Sequence, residues 1–243
     1  MDKNIRLQNF KNWAKSIQFS LEELFPTINK KTIFHIDLSI NNNTVKTFEE
    51  FDNPTYFARE LTKIQQQNPK KIIAGGYLEK RALYTSDIYN AANSSEKRNI
   101  HLGLDFWLPE NTPIHALLEG EVVCAVHQKE LKGYGGFVIL KHAINAVEFY
   151  TLYGHLSAES VSKFSIGKQI KKNEEIGVLG DFAENGEWVP HLHFQVMLSL
   201  LEYENDFPGV ALESEIEYWK NICPNPNLLF KLNGFNDEII LNK

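Results

Sequence analysis

The sequence predicts a mainly β fold, a sheet-based unit with a small α+β region before it and a helical extension after it. Three observations lead there. From about residue 100, short apolar runs alternate with Gly, Pro and Asn turns at close intervals, the rhythm of consecutive short strands. Helical spacing of apolar residues is confined to a few segments outside that stretch. Hydrophobic residues make up 43% of the 243 positions, enough to bury a core and too many for a disordered chain.

Taken in order, residues 4–25 predict a helix, because Phe10, Trp13, Ala14, Ile17, Leu21 and Leu24 fall on one stripe and Pro26 stops it. Phe34, Ile36, Leu38 and Ile40 alternate with His35, Asp37 and Ser39, which predicts a half-buried strand. Asn41-Asn42-Asn43 reads as a turn, with Thr44–Phe48 as a possible hairpin return. Asn53-Pro54 supplies an N-cap and a first-turn proline for a helix running to about Gln67. Ile72-Ile73-Ala74 is a short strand closed by Gly75-Gly76. The candidate strands that follow are 101–107, 113–118, 120–127, 136–142, 147–155, 175–179 and 191–198. Residues 212–221 predict a helix, broken by Pro224 and Pro226. This divides the chain into 1–70, an α+β region of unassigned role, 71–200, the β-rich domain, and 201–243, an extension packed on it.

Composition excludes several classes of function. The net charge is −6, and the basic pairs Lys30-Lys31, Lys70-Lys71 and Lys171-Lys172 are too short to make a nucleic-acid-binding patch. The two cysteines, Cys124 and Cys223, have no motif spacing and make no disulfide framework. No apolar stretch has the length of a membrane span. Up to Leu24 polar residues interrupt every apolar run, whereas a secretory leader needs roughly 7–15 continuous apolar residues. The expected location is therefore cytoplasmic, with an exported one as the alternative if a leader precedes Met1.

The chemistry sits in three strands. In His101-Leu102-Gly103-Leu104-Asp105-Phe106-Trp107, alternation places His101, Gly103 and Asp105 on one face over an apolar back. In His191-Leu192-His193-Phe194-Gln195-Val196, the same holds for His191, His193 and Gln195. Between them, Phe149–His155 puts Tyr153 and His155 on one side. Imidazole and carboxylate suit Zn²⁺, and a catalytic zinc site uses about three protein ligands and leaves one position open. Two neutral His and one Asp⁻ leave such a site net positive, which acidifies water and polarises a carbonyl. The remaining histidines suit proton transfer. Neither the His-x-x-x-Asp nor the His-x-His element is specific by itself, and the strands alone do not choose among the ligands.

The ordered set His101-x-x-x-Asp105, Tyr153-Gly154-His155-Leu156 and His191-Leu192-His193-Phe194 resembles the lysostaphin/LytM-type zinc metallopeptidases. Pro109–Ala116, Gly120-Glu121-Val122-Val123, Gly133-Tyr134-Gly135-Gly136, Val138–His142, Gly167–Ile170, Ile176-Gly177 and Leu179-Gly180 resemble the same family's connecting segments, so the likeness covers about residues 100–198. It implies an antiparallel sheet with a groove across the metal, one zinc per chain held by His101, Asp105 and His193, and His191 and His155 as catalytic histidines outside the ligand set. It makes His191 the general base and His155 the residue that orients water or steadies the oxyanion. It implies peptide or amide hydrolysis of the endopeptidase type, on a peptide or peptidoglycan-derived substrate.

The sequence departs from the pattern in two places. The turn before the His pair is lengthened to Asp181–Pro190, and Gln195 stands where Glu is common. Tyr84, Tyr153, Trp188 and Gln195 are the candidate substrate contacts. The run Gly76–Tyr84, the Asn185–Pro190 loop and the segments Asp206–Gly209 and Cys223–Pro226 are similar to a subgroup also found fused to kinase-like and class-III aminotransferase domains. That similarity implies a soluble small amide or peptide as substrate. Two other readings stand beside the enzyme: a catalytically silent relative that binds peptidoglycan or regulates another enzyme, and a small-molecule amide hydrolase of a metabolic assembly. Among the other histidines, His142 reads as structural, His115 and His127 as loop-proximal, and His35 with Asp37 as a solvated strand face. Glu79 and Arg81 line the cleft or form a surface ion pair. Oligomeric state has no signature in the sequence.

Overall fold

The computed structural model describes residues 3–40, 42, 53–82, 84, 87–91, 96–145 and 147–235. Of the Asn41–Asn43 turn and the Thr44–Phe48 return, only Asn42 falls within the described residues.

The molecule is mostly β. An eight-stranded sheet runs in the order β1-β2-β4-β11-β8-β7-β6-β9. Its strands are β1 (Thr32–Ile36), β2 (Lys71–Gly75), β4 (Leu104–Trp107), β6 (Gly120–His127), β7 (Gly136–Ile144), β8 (Val147–Leu156), β9 (Gln169–Ile170) and β11 (His191–Met197). Every pairing is antiparallel except β1 with β2, which are parallel and joined through helix α3 (Pro54–Gln67). Small two-stranded pieces flank the sheet: β3 (Ile100–His101) with β12 (Val210–Ala211), and β5 (Pro113–His115) with β10 (Glu175–Val178). The expected α+β start thus feeds two strands into the edge of the same sheet, with β2 paired to β4.

The two faces of the sheet do different work. One is mainly apolar: Leu104, Phe106, Tyr153, Leu192, Phe194 and Val196 pack against helix α1 (Lys3–Lys15) through Phe10 and Ala14 and against α5 (Asn227–Phe230) through Leu229 and Phe230. The other carries two separate apolar clusters. Ile139, Leu152 and Met197 meet Phe207 and, from α4 (Ile216–Ile222), Trp219. Ile36, Ile73 and Trp107 meet Phe57 and Leu61 of α3. Between these clusters the strands present His101, Asp105, His191 and His193.

Three local expectations are corrected. The helix over 4–25 is two helices, because Ser20 caps α2 (Leu21–Leu24) with a reciprocal Ser20–Glu23 capping box, which favours a fresh start over continuation. The strand over 101–107 is interrupted at Gly103, where a Cβ would lie 2.6 Å from His193 Cε1 and 2.8 Å from the Phe194 carbonyl. The backbone must come close there to bring His101 and His193 together. Tyr153 and His155 do not share a face. His155 has φ +65°, next to a register shift opposite Gly136/Phe137, and this bulge turns His155 to the site while Tyr153 stays in the core against Phe194.

Candidate metal centre

His101 from β3, Asp105 from β4 and His193 from β11 converge in the fold, all three buried. Register explains the meeting, since His193 pairs directly with Asp105 across β4 and β11. His101 Nε2 lies 3.0 Å from His193 Nδ1 and 3.2 Å from Asp105 Oδ1, and His193 Nδ1 lies 3.1 Å from the same oxygen.

The protons on the two rings are fixed from outside the triad. His101 Nδ1 sits 2.9 Å from the Gly76 carbonyl, which can only accept, so Nδ1 carries the hydrogen and Nε2 is a bare lone pair. His193 Nε2 sits 2.9 Å from Gln195 Oε1. The Gln195 amide nitrogen donates to the Pro208 carbonyl at 3.1 Å, which leaves its oxygen turned to His193. Nε2 therefore carries the hydrogen and Nδ1 is bare. Two lone pairs and a carboxylate oxygen thus face one another at about 3 Å with no proton among them. Burial holds His101 at about 4, with Arg81 opposing protonation and Asp105 favouring it. Burial alone would raise the Asp105 pKa, but His101 and Arg81 outweigh it and hold the carboxyl well below its usual range. Such an arrangement is repulsive unless a cation sits at its centre. Ligand atoms about 2.0–2.1 Å from a tetrahedral zinc lie roughly 3.3–3.4 Å apart, close to the spacing observed. The residues fit a zinc ion, and fit a softer or larger ion less well.

The carboxylate is held from behind by residues the sequence left undecided. Arg81 Nη1 donates to Asp105 Oδ2 at 2.6 Å, and its Nε donates to Glu79 Oε2 at 2.8 Å. Glu79 Oε1 accepts from the Gly76 amide at 3.0 Å. Arg81 is only 3% exposed, so Glu79–Arg81 is a buried pair and the surface reading is corrected. The one signal for it in the sequence is that both charges stand on the same side of an extended run after Gly75-Gly76.

His155 and His191 stand beside the triad with ring centroids 4.2 Å apart. His155 Nδ1 donates to the Asn185 carbonyl at 2.9 Å, and His191 Nδ1 donates to the Val189 carbonyl at 2.8 Å. Each therefore presents an unprotonated Nε2. His191 Nε2 is 3.8 Å from Asp105 Oδ1, too far for a hydrogen bond. Burial lowers the pKa of both, reinforced at His155 by its histidine neighbours and opposed at His191 by Asp105. The long 181–190 loop is what holds His155: Asn185 is fully buried and bonds Gly180, Trp188 and, through its carbonyl, His155.

The four proposed substrate contacts separate. Tyr84 and Trp188 line the cavity over the triad. Tyr153 lies on the opposite face of the sheet, in the core. Gln195 is fully buried behind His193, where its amide bridges to Pro208 and Cys223; it supports a ligand and does not reach the cavity. Tyr134, which the sequence shows only as part of a connecting segment, stands in the cavity wall near His155 and His193, at 5.9 and 5.4 Å between ring centroids, with its hydroxyl buried and without a hydrogen-bond partner among the described residues. Cys124 and Cys223 are both buried free thiols, and among the described residues no helix is long and apolar enough to cross a membrane.

Residues 99–204 match the profile of Peptidase family M23. Over 100 residues the chain is 33% identical to the DD-carboxypeptidase/endopeptidase Mpg of Neisseria meningitidis serogroup B, covering 41% of this chain and 20% of the relative. It is 34% identical over 95 residues to an uncharacterized metalloprotease of Haemophilus influenzae, covering 39% of this chain and 18% of that protein. The chain thus spans about a fifth of the length of these relatives. Among solved structures, the catalytic domain of lysostaphin from Staphylococcus simulans aligns at 25% identity over 54% of this chain and 86% of that domain, with a TM-score of 0.35.

Proposed function

Starting from a peptidase family M23 domain over residues 99–204, we propose that this chain is a zinc-dependent hydrolase of peptide or amide bonds. The observation that carries the proposal is the inward convergence of two unprotonated imidazole nitrogens and one carboxylate oxygen, each ring locked by a backbone or amide acceptor outside the triad. His101, Asp105 and His193 would hold a single zinc ion, which supplies Lewis-acid chemistry: a polarised scissile carbonyl and a more acidic water.

The remaining steps belong to side chains. His191, with its Nδ1–H tied to Val189, offers Nε2 as the general base for the attacking water. His155, tied to Asn185, offers a second unprotonated Nε2 on the same side, placed to accept from that water and orient it, and the proton taken by His191 passes to the leaving amine. Trp107 stacks on His191 at 5.6 Å and 24°, which fixes the plane of the base. Arg81 keeps Asp105 anionic and one-sided, leaving Oδ1 for the metal. Tyr84 and Trp188 line the cavity over the triad, and on this reading the substrate is a soluble peptide or amide rather than an intact wall polymer.

The test is incubation of the zinc-loaded chain with a soluble peptide library and, separately, with purified sacculi, both read by mass spectrometry. Zinc-dependent release of new amine termini from peptides supports the reading, and absence of cleavage in both arms removes it. A catalytically silent relative would bind sacculi without releasing products.

A further inference from the structure

The sheet face that carries the triad does not end at β4. Across β4 and β2, Asp105 pairs with Gly75 and Trp107 with Ile73; across β2 and β1, Gly75 pairs with Ile36. The row that holds the metal residues therefore runs on into an apolar cluster built by the part of the chain before the family-matched segment. Phe57 meets the Trp107 ring edge-on at 5.8 Å and 88°. Leu38, Phe57, Tyr84 and Trp107 are each under 10% exposed, yet all four line the same cavity as His101, Asp105, His155, His191 and His193. Val189 closes the side toward the general base.

From this juxtaposition we infer that Leu38, Phe57, Tyr84 and Trp107 build a specificity pocket onto the metal centre, and that it takes one bulky apolar side chain, of leucine or phenylalanine size, next to the scissile bond. The inference rests on the hydrolase reading for the word scissile, but the pocket stands on geometry alone. The cavity is about 160 Å³, and an apolar cavity of about 150 Å³ is enough for a benzene ring. That is room for a single side chain of this size. Its wall includes Leu38, Phe57, Tyr84, Trp107 and Val189 beside the charged Arg98, Lys132, Glu187 and Asp206, and a glycine at the cut leaves the apolar part facing water. A buried leucine or phenylalanine side chain is favoured by roughly tenfold to a hundredfold over glycine in such a site. The substrate class is thus short peptides or acylated amino-acid amides with an apolar residue at the cut, and diglycine bonds are disfavoured.

The decisive experiment measures binding separately from turnover. Calorimetry on the zinc-loaded full chain compares hydroxamates of N-acetylglycine, N-acetylleucine, N-acetylphenylalanine and N-acetyltryptophan, probes that share one metal-binding group and differ only in the side chain. The leucine and phenylalanine probes should bind at least about tenfold tighter than the glycine probe. Leu38→Trp, which fills the pocket, should erase that difference with zinc content unchanged. Phe57→Ala, which widens it, should move the optimum to the tryptophan probe and serves if Leu38→Trp fails to fold. Equal affinities across the probes, binding of none, or an unchanged ranking in Phe57→Ala overturns the pocket. The peptide library run on the same preparation separates the two ideas. Cleavage concentrated at glycine–glycine bonds keeps the hydrolase and removes the pocket, whereas the expected probe ranking without cleavage keeps the pocket and removes the hydrolase.

Discussion

Arg81 donates to the oxygen of Asp105 that the triad does not use, Nη1 to Oδ2 at 2.6 Å, with both side chains buried. The guanidinium spans Asp105 on one side and Glu79 on the other, a fork that lysine cannot reproduce. Arg81→Lys should therefore fold and bind zinc about 10–100-fold more weakly, the range for an outer partner of a metal ligand. Arg81→Ala leaves two buried carboxylates uncompensated and should lose about 3–5 kcal/mol of stability. Chelator competition and urea unfolding read the two effects separately. Unchanged zinc affinity in a folded Arg81→Lys protein would show that Asp105 needs no such support.

The ligand set makes a second prediction. Asp105→Ala and His193→Ala should each abolish tight zinc binding at one equivalent per chain, because two ligands cannot close a tetrahedral site against water. Elemental analysis after dialysis checks this, and full zinc in both variants would refute the assignment.

His155→Ala and His191→Ala should behave in the opposite way. Their Nδ1 atoms are tied to loop carbonyls and their Nε2 atoms stand outside the triad. Zinc should stay bound while turnover falls about 10²–10⁴-fold, the usual contribution of a positioned acid or base. Loss of metal from either variant, with His193→Ala retaining it, would exchange the roles within the His191-Leu192-His193 pair.

What the sequence made legible was whatever depends on neighbours in the chain. Period-two alternation placed His191 and His193 on one face of β11 with Leu192 and Phe194 behind them, and β11 has that arrangement. Alternation failed at His155, because a positive φ at one residue reverses the facing of everything beyond it and leaves no trace in the apolar pattern. It held at Gln195, which shares a face with His193, but the reading of Gln195 as a substrate contact failed, because it lies under the C-terminal segment that supplies Pro208 and Cys223. Arg81 and Glu79 were visible as charges. That they are buried follows only from β2 pairing with β4, a contact between segments with no shared local pattern. The apolar wall beside the metal was hidden for the same reason, since Leu38 and Phe57 reach it through tertiary packing.

The last prediction concerns acid stability and a histidine remote from the metal. His142 is fully buried, with Nδ1 donating to the Glu119 carbonyl at 2.7 Å and Nε2 accepting from the Thr151 hydroxyl at 2.8 Å. Gly120 leaves room for the ring, since a Cβ there would lie 2.8 Å from Nδ1. Burial lowers His142 to about 4, partly offset by the Glu119 carbonyl, whereas an unfolded histidine titrates near 6.5. The unfolded chain therefore takes up the proton first as pH falls. The stability gained by keeping this ring neutral is complete above about pH 6.5, declines below it, and is gone by about pH 4. The total is about 3 kcal/mol, of which about 2 kcal/mol is lost between pH 7 and pH 5. Urea unfolding of metal-free wild type and His142→Gln at both values isolates it, because the triad titrates alike in the two proteins and zinc release does not enter. The wild type should lose about 2 kcal/mol more than the variant over that interval. Parallel losses would mean that His142 is already charged in the folded state, with Thr151 accepting from it, and the structural role assigned to this ring would have to be reversed.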